Sequence, residues 1–108
     1  MTANKLAFLA DLEQVIRDRI DNPSQESYTA SLVAKGAKRV AQKVGEEGVE
    51  LALASVDGSD DEVLDEAADL IYHLLVLLRT RSLSLADVAV VLESRHTGQA
   101  VRPGRPLP

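Results

Sequence analysis

The sequence predicts an all-α protein, a helical bundle of four to five helices. Three observations point that way. Apolar residues recur at three- and four-residue spacings along most of the chain. The patterns Ser59-x-x-Glu62 and Ser84-x-x-Asp87 stand where helix caps belong, just before such runs. No stretch alternates apolar and polar residues with the period of two that a half-buried strand requires. The 108 residues predict one domain, with no internal repeat and no linker.

Leu6, Leu9, Leu12, Ile16 and Ile20 predict an amphipathic helix from Lys5 to about Asp21, capped by Thr2 or Asn4 and ended by Pro23, which disfavours helix at Asn22. Ser27 is the expected cap of a short helix, Tyr28 to Lys35, which Gly36 closes. Ser31, Lys35 and Lys38 either face a ligand or belong to a spacer that orients the next helix. Ala37 to Val56 follows as a long helix. Gly45 and Gly48 each cost it roughly 1 kcal/mol relative to Ala, so a close approach to the backbone is expected there. After a turn at Asp57-Gly58-Ser59, a helix runs to about Arg81. It is apolar nearly all round and is therefore expected to be buried. The last helix starts at Ser84 and reaches about Ser94. The helical domain is thus expected to span residues 1–94. Residues 95–108 hold three prolines and two glycines and are expected to form a basic, flexible tail.

Composition excludes several classes. Without cysteine there are no disulfides, thiolate zinc sites or cysteine nucleophiles. A formal charge of −5 argues against general binding to nucleic acid or to an anionic membrane. Apolar runs such as Leu74–Leu78 are far too short to span a bilayer, and the first residues show no signal-peptide pattern. A cytoplasmic protein is expected. With three aromatic residues the core must be aliphatic, and a small aliphatic core often gains stability by oligomerising.

The chemistry concentrates between Lys43 and His73. Glu46, Glu47 and Glu50 lie on one predicted helix, and Glu66 and Asp69 on the next. Carboxylates three residues apart share a helix face. Two such helices side by side bring four carboxylates to one point, and grouped, desolvated carboxylates need a cation. Arg39, Lys43, Glu46, Glu47 and Glu50 fall in one narrow stripe walled by aliphatic residues, which points to a cleft rather than a solvated face. All-oxygen donors favour Mg2+. The lack of cysteine argues against zinc, and the lack of Glu-x-x-His in the clusters argues against a carboxylate-bridged di-iron pair. A carboxylate not engaged with metal, Glu46 or Glu47, is the candidate general base. Lys35, Lys38, Arg39 and Lys43 are candidate phosphate contacts. His73, on the acidic seam, is either a substrate contact or a core histidine bonded to a carboxylate, and Tyr72 is expected to pack.

The strings Ser27-Tyr-Thr-Ala-Ser-Leu32, Ala41-Gln-Lys-Val-Gly-Glu-Glu-Gly-Val-Glu50 and Glu66-Ala-Ala-Asp-Leu-Ile-Tyr-His73 resemble the phosphoribosyl-ATP pyrophosphohydrolases. These belong to the all-α, MazG-like nucleoside triphosphate pyrophosphatases. The resemblance covers about Leu6 to Leu92. It implies hydrolysis of phosphoribosyl-ATP to phosphoribosyl-AMP and pyrophosphate, the second step of histidine biosynthesis. It also implies Mg2+ held by Glu47, Glu50, Glu66 and Asp69, an additional acid at Glu46, a phosphate contact at Lys43, and a homodimer that completes the bundle. Relatives fused to a cyclohydrolase carry zinc-binding cysteines. This chain has none and is short, so the pyrophosphohydrolase alone is expected. Two other readings compete: a MazG-type pyrophosphatase of ordinary or damaged nucleoside triphosphates, and a non-catalytic dimerisation module with solvated acidic stripes.

Overall fold

The computed structural model describes residues 4–97. A 3-10 turn, Lys5–Ala7, leads into α1 (Phe8–Asp21). Then follow α2 (Tyr28–Ala34), α3 (Ala37–Asp57), α4 (Asp60–Thr80) and α5 (Leu85–Thr97), with no strand among the described residues. The expected first helix therefore opens as a tighter turn, in which Asn4 accepts from the Leu6 N–H. The last helix continues three residues past Ser94, since no breaker precedes Gly98. The remainder of the expected tail, 98–108, lies outside the described residues.

Local chemistry sets the other boundaries. The Ser27 hydroxyl accepts from the Ala30 N–H at 3.1 Å and starts α2. Gly36 separates α2 from α3 at φ 102° and ψ 166°, a conformation that a side chain opposes. Gly58 joins α3 to α4. A Cβ there would lie 2.9 Å from the Ala54 carbonyl oxygen, so only glycine permits so tight a hairpin. The Ser59 hydroxyl then accepts from the Glu62 N–H at 3.2 Å. Ser84 and Asp87 cap α5 reciprocally: each side chain accepts from the other's N–H. A second anchor was not legible in the sequence. The Leu85 N–H donates to the Glu13 carboxylate of α1 at 2.9 Å, across 72 residues.

The hairpin of α3 and α4 is the spine. Each helix has 21 residues, about 30 Å at the α-helical rise. The core of Ile16, Leu32, Val40, Leu75 and Val76 gathers where α1 and α2 cover the start of α3 and the end of α4. Toward the hairpin turn no described residue covers the outer face of either helix. Val49, Leu53, Val56 and Leu64 are exposed there, Val56 to 86%. The expectation that α4 is buried throughout therefore holds only for its second half. Among the described residues nothing makes the expected close approach at Gly45 and Gly48: a Cβ at either position would meet no atom within 4 Å.

Two substitutions test the backbone account. Gly36→Ala forces a side chain into a glycine conformation and should lower stability by about 1–3 kcal/mol. Ser82 is the non-glycine residue at positive φ (58°) among the described residues. Ser82→Gly should be neutral or raise stability by up to about 1 kcal/mol. Thermal melts by circular dichroism read both.

Candidate functional site

The α3–α4 hairpin does what the spacing predicted for three of the four expected ligands. Glu47, Glu66 and Asp69 each offer a carboxylate oxygen, and these oxygens lie within 4.8 Å of one another. At that separation the Glu47 and Glu66 charges repel by about 3 kcal/mol at an effective dielectric near 20. Glu47 is 5% exposed. The second carboxylate oxygens of Glu47 and of Glu66 are both buried with no hydrogen-bond partner among the described residues. Native structures seldom leave such oxygens unsatisfied. An all-oxygen donor set with open valences fits a hard divalent cation.

Glu50 sits at the rim of this triad, more exposed than Glu47. With Glu66 it lines a cavity of about 320 Å3, together with Leu53, Ala54, Asp57, Gly58 and Glu62. It can share a proton with Glu47. That sharing, with the negative charges of Glu47 and Glu66, pushes its carboxyl above the ordinary value. Glu47 behaves oppositely. Burial pushes its carboxyl up, but hydrogen bonds from Lys43 and Glu50 and the charge of Lys43 outweigh burial and hold it below the ordinary value. The Lys43 Nζ lies 3.0 Å from the Glu47 Oε1. That bond, against some burial, raises the Lys43 pKa. Lys43 therefore fixes the negative charge on Glu47 and leaves Glu50 to carry any shared proton.

The other expected site residues are less tightly grouped. Glu46 directly precedes Glu47 but turns about 100° away from it, as successive helical residues must. It lies half exposed against Arg39, Nη1 to Oε1 at 3.3 Å. The single narrow stripe expected from the sequence is thus split into an inner line, Lys43 and Glu47, and an outer line, Arg39 and Glu46. Lys35 and Lys38 are exposed. Lys38 precedes Glu47 by nine residues, about 13 Å along the helix axis, so it stands away from the acids rather than among them.

His73 is 6% exposed, and both ring nitrogens are engaged. Its Nδ1 lies 2.7 Å from the Asp69 carbonyl oxygen and its Nε2 2.8 Å from the Tyr28 hydroxyl. A carbonyl only accepts, so Nδ1 carries the proton and Nε2 accepts from Tyr28. Both ring nitrogens of His73 are thus engaged within the described residues, by a backbone carbonyl and a phenol rather than by a carboxylate. Tyr72 packs as expected, and its hydroxyl also bonds Thr29.

Fold and site together define an all-α protein with a carboxylate cluster, built on a helical hairpin, that suits a hard divalent cation. Residues 9–96 match the model of the phosphoribosyl-ATP pyrophosphohydrolase family, and the chain belongs to that family. Among its relatives is the histidine biosynthesis bifunctional protein HisIE of Xylella fastidiosa. It is 57% identical over 89 residues, covering 82% of this chain and 43% of that protein. The HisIE proteins of Photobacterium profundum (56% over 91 residues) and Vibrio cholerae (50% over 93 residues) cover 84% and 86% of this chain and 44% of their own length. The chain thus spans less than half the length of the curated relatives it matches.

The opposed pKa shifts give a signed prediction. A lowered Glu47 contributes stability above the ordinary glutamate pKa of about 4.3 and loses it as pH falls through its folded value. A raised Glu50 does the reverse, costing stability as pH rises through its folded value. Without divalent cations, Glu50→Gln should therefore melt higher than wild type at pH 7, and the difference should shrink towards pH 4. Melts across that range, in chelator, check it.

Proposed function

We propose that this chain hydrolyses 1-(5-phosphoribosyl)-ATP to 1-(5-phosphoribosyl)-AMP and pyrophosphate in histidine biosynthesis, with Mg2+ at the carboxylate cluster. One observation carries the reading. In a chain of this family, Glu47 and Glu66 from opposite helices each bring a carboxylate oxygen within 4.8 Å of the other and of Asp69, and each buries an oxygen that has no partner among the described residues. Glu47, Glu50, Glu66 and Asp69 would hold the cation, which would neutralise triphosphate charge and polarise a water.

The chain's own residues supply the rest. Lys43, 3.0 Å from Glu47, stands at the edge of the cluster, where a phosphate oxygen can take over part of its contact. Arg39, Lys38 and Lys35 continue the positive charge away from the acids, along the length of a bound triphosphate and its second ribose phosphate. The water's proton passes to a carboxylate, Glu46 or Glu47. The water oxygen bonds to the α-phosphorus, and the bond from that phosphorus to the bridging oxygen breaks to release pyrophosphate. Glu46 shares a groove with Glu50, which favours its access to a water at the rim.

A second copy of the chain is proposed to cover the bare half of the hairpin. The exposed Val49, Leu53, Val56 and Leu64 and the open backbone at Gly45 make a surface that a helix can approach closely. With this reading goes a cytoplasmic location. No helix among the described residues is long and apolar enough to cross a membrane. The functional unit is proposed to be residues 1–94 together with the last turn of α5.

Pyrophosphate release in Mg2+ tests the activity. Release from phosphoribosyl-ATP alone is expected. Release from a panel of ordinary nucleoside triphosphates would instead favour a broader pyrophosphatase, and no release from any would overturn both. Glu50→Gln and Asp69→Asn should each lower the rate by at least about a hundredfold with circular dichroism unchanged. Near-normal rates in either would remove it from the ligand set. Leu53→Glu with Val56→Glu should convert a dimer to a monomer by light scattering.

A further inference from the structure

Two neighbouring hydrogen bonds clip α2 to α4. Tyr28, the first residue of α2, donates its hydroxyl proton to the His73 Nε2 at 2.8 Å. One residue along both helices, the Thr29 hydroxyl bonds the Tyr72 hydroxyl. The clips differ in what lies behind them. Thr29 is fully buried and Tyr72 packs against the core, so that clip secures the helices. Behind the other clip lies the carboxylate cluster, because His73 turns its Nδ1–H back onto the carbonyl of Asp69 at 2.7 Å. Asp69 brings one of the three converging carboxylates. The His73 ring is locked further by edge-on contacts with Tyr28 and Tyr72, both 5.7 Å between ring centres.

We infer that Tyr28 and His73 are positioning residues for the cation site: their hydrogen bond fixes the backbone at Asp69, and thereby the carboxylate geometry, from a helix that supplies no ligand. The inference rests on the cation-site reading above. Hydrogen bonds that orient ligands from behind are typically worth about 10- to 100-fold in metal affinity. Fixing a carbonyl whose residue bears the ligand acts in the same sense. Tyr28 is half exposed, so its hydroxyl is not needed to fill the core. A buried histidine with both nitrogens bonded holds one orientation, as a positioning group requires.

Mn2+ binding, followed by the paramagnetic resonance signal of the free ion, tests this without turnover. Tyr28→Phe removes one oxygen and should weaken Mn2+ binding about tenfold, with a smaller drop in Tm than Thr29→Val. Thr29→Val should lower Tm yet leave Mn2+ affinity within about twofold, as expected of a site that does not couple to the cluster. His73→Gln, whose amide oxygen can accept from Tyr28 in place of Nε2, should retain more affinity than His73→Leu. This comparison decides the matter even if Tyr28→Phe folds poorly. Wild-type affinity in Tyr28→Phe, equal losses in Tyr28→Phe and Thr29→Val, or equal losses in the two His73 variants would overturn the inference. Failure of the wild-type protein itself to bind Mn2+ would overturn the cation-site reading and this inference with it, so the two failures are told apart.

Discussion

Desolvated negative charge at the α3–α4 hairpin is the constraint on which the rest of the structure depends. Glu47 and Glu66 each bury an oxygen that no donor among the described residues reaches, and their carboxylates gather with that of Asp69. An isolated chain gains nothing from that arrangement, because close, partly buried carboxylates repel and each gives up hydration. Lys43 meets one oxygen of Glu47 and leaves the others open. The cluster is therefore tolerated rather than stabilised by its surroundings, the condition expected where function and not folding selects the residues.

The surrounding architecture makes that tolerance affordable in structural terms. Stability comes from the far end of the hairpin, where Ile16 of α1 and Leu32 of α2 pack against Val40, Leu75 and Val76 of the hairpin. The acids lie between this core and the turn at Gly58. They are close enough to the core for the helices to be held in register, yet open enough on one side for a ligand to enter. Beyond them Val49, Leu53, Val56 and Leu64 leave apolar surface exposed among the described residues. It places the proposed second copy next to the site rather than at a distance from it.

Much of this was legible in the sequence where the determinants are local. Ser27, Ser59 and Ser84 mark helix starts by short-range patterns, and the caps form as those patterns require. The three-residue spacing of acids placed Glu47, Glu66 and Asp69 on facing surfaces because helical geometry leaves little choice. Azimuth was less legible. Neighbouring Glu46 and Glu47 were read as one stripe, but 100° of rotation sends one to Arg39 and the other inward. Burial of α4 failed as an expectation over its first half, since periodicity reports which face is apolar and not whether this chain or another copy covers it. Contacts across 45 or 72 residues, Tyr28 with His73 and Glu13 with the Leu85 N–H, have no local signature at all.

Anomalous diffraction from crystals soaked in Mn2+ is the most direct measure of whether the hairpin is a cation site. The account predicts an anomalous peak within coordination distance of the carboxylates of Glu47, Glu66 and Asp69, with Glu50 turned inward to join them. Ordered crystals that show no peak at this cluster, or a peak held by other residues while Glu47 and Glu66 keep their buried oxygens partnerless, would contradict it.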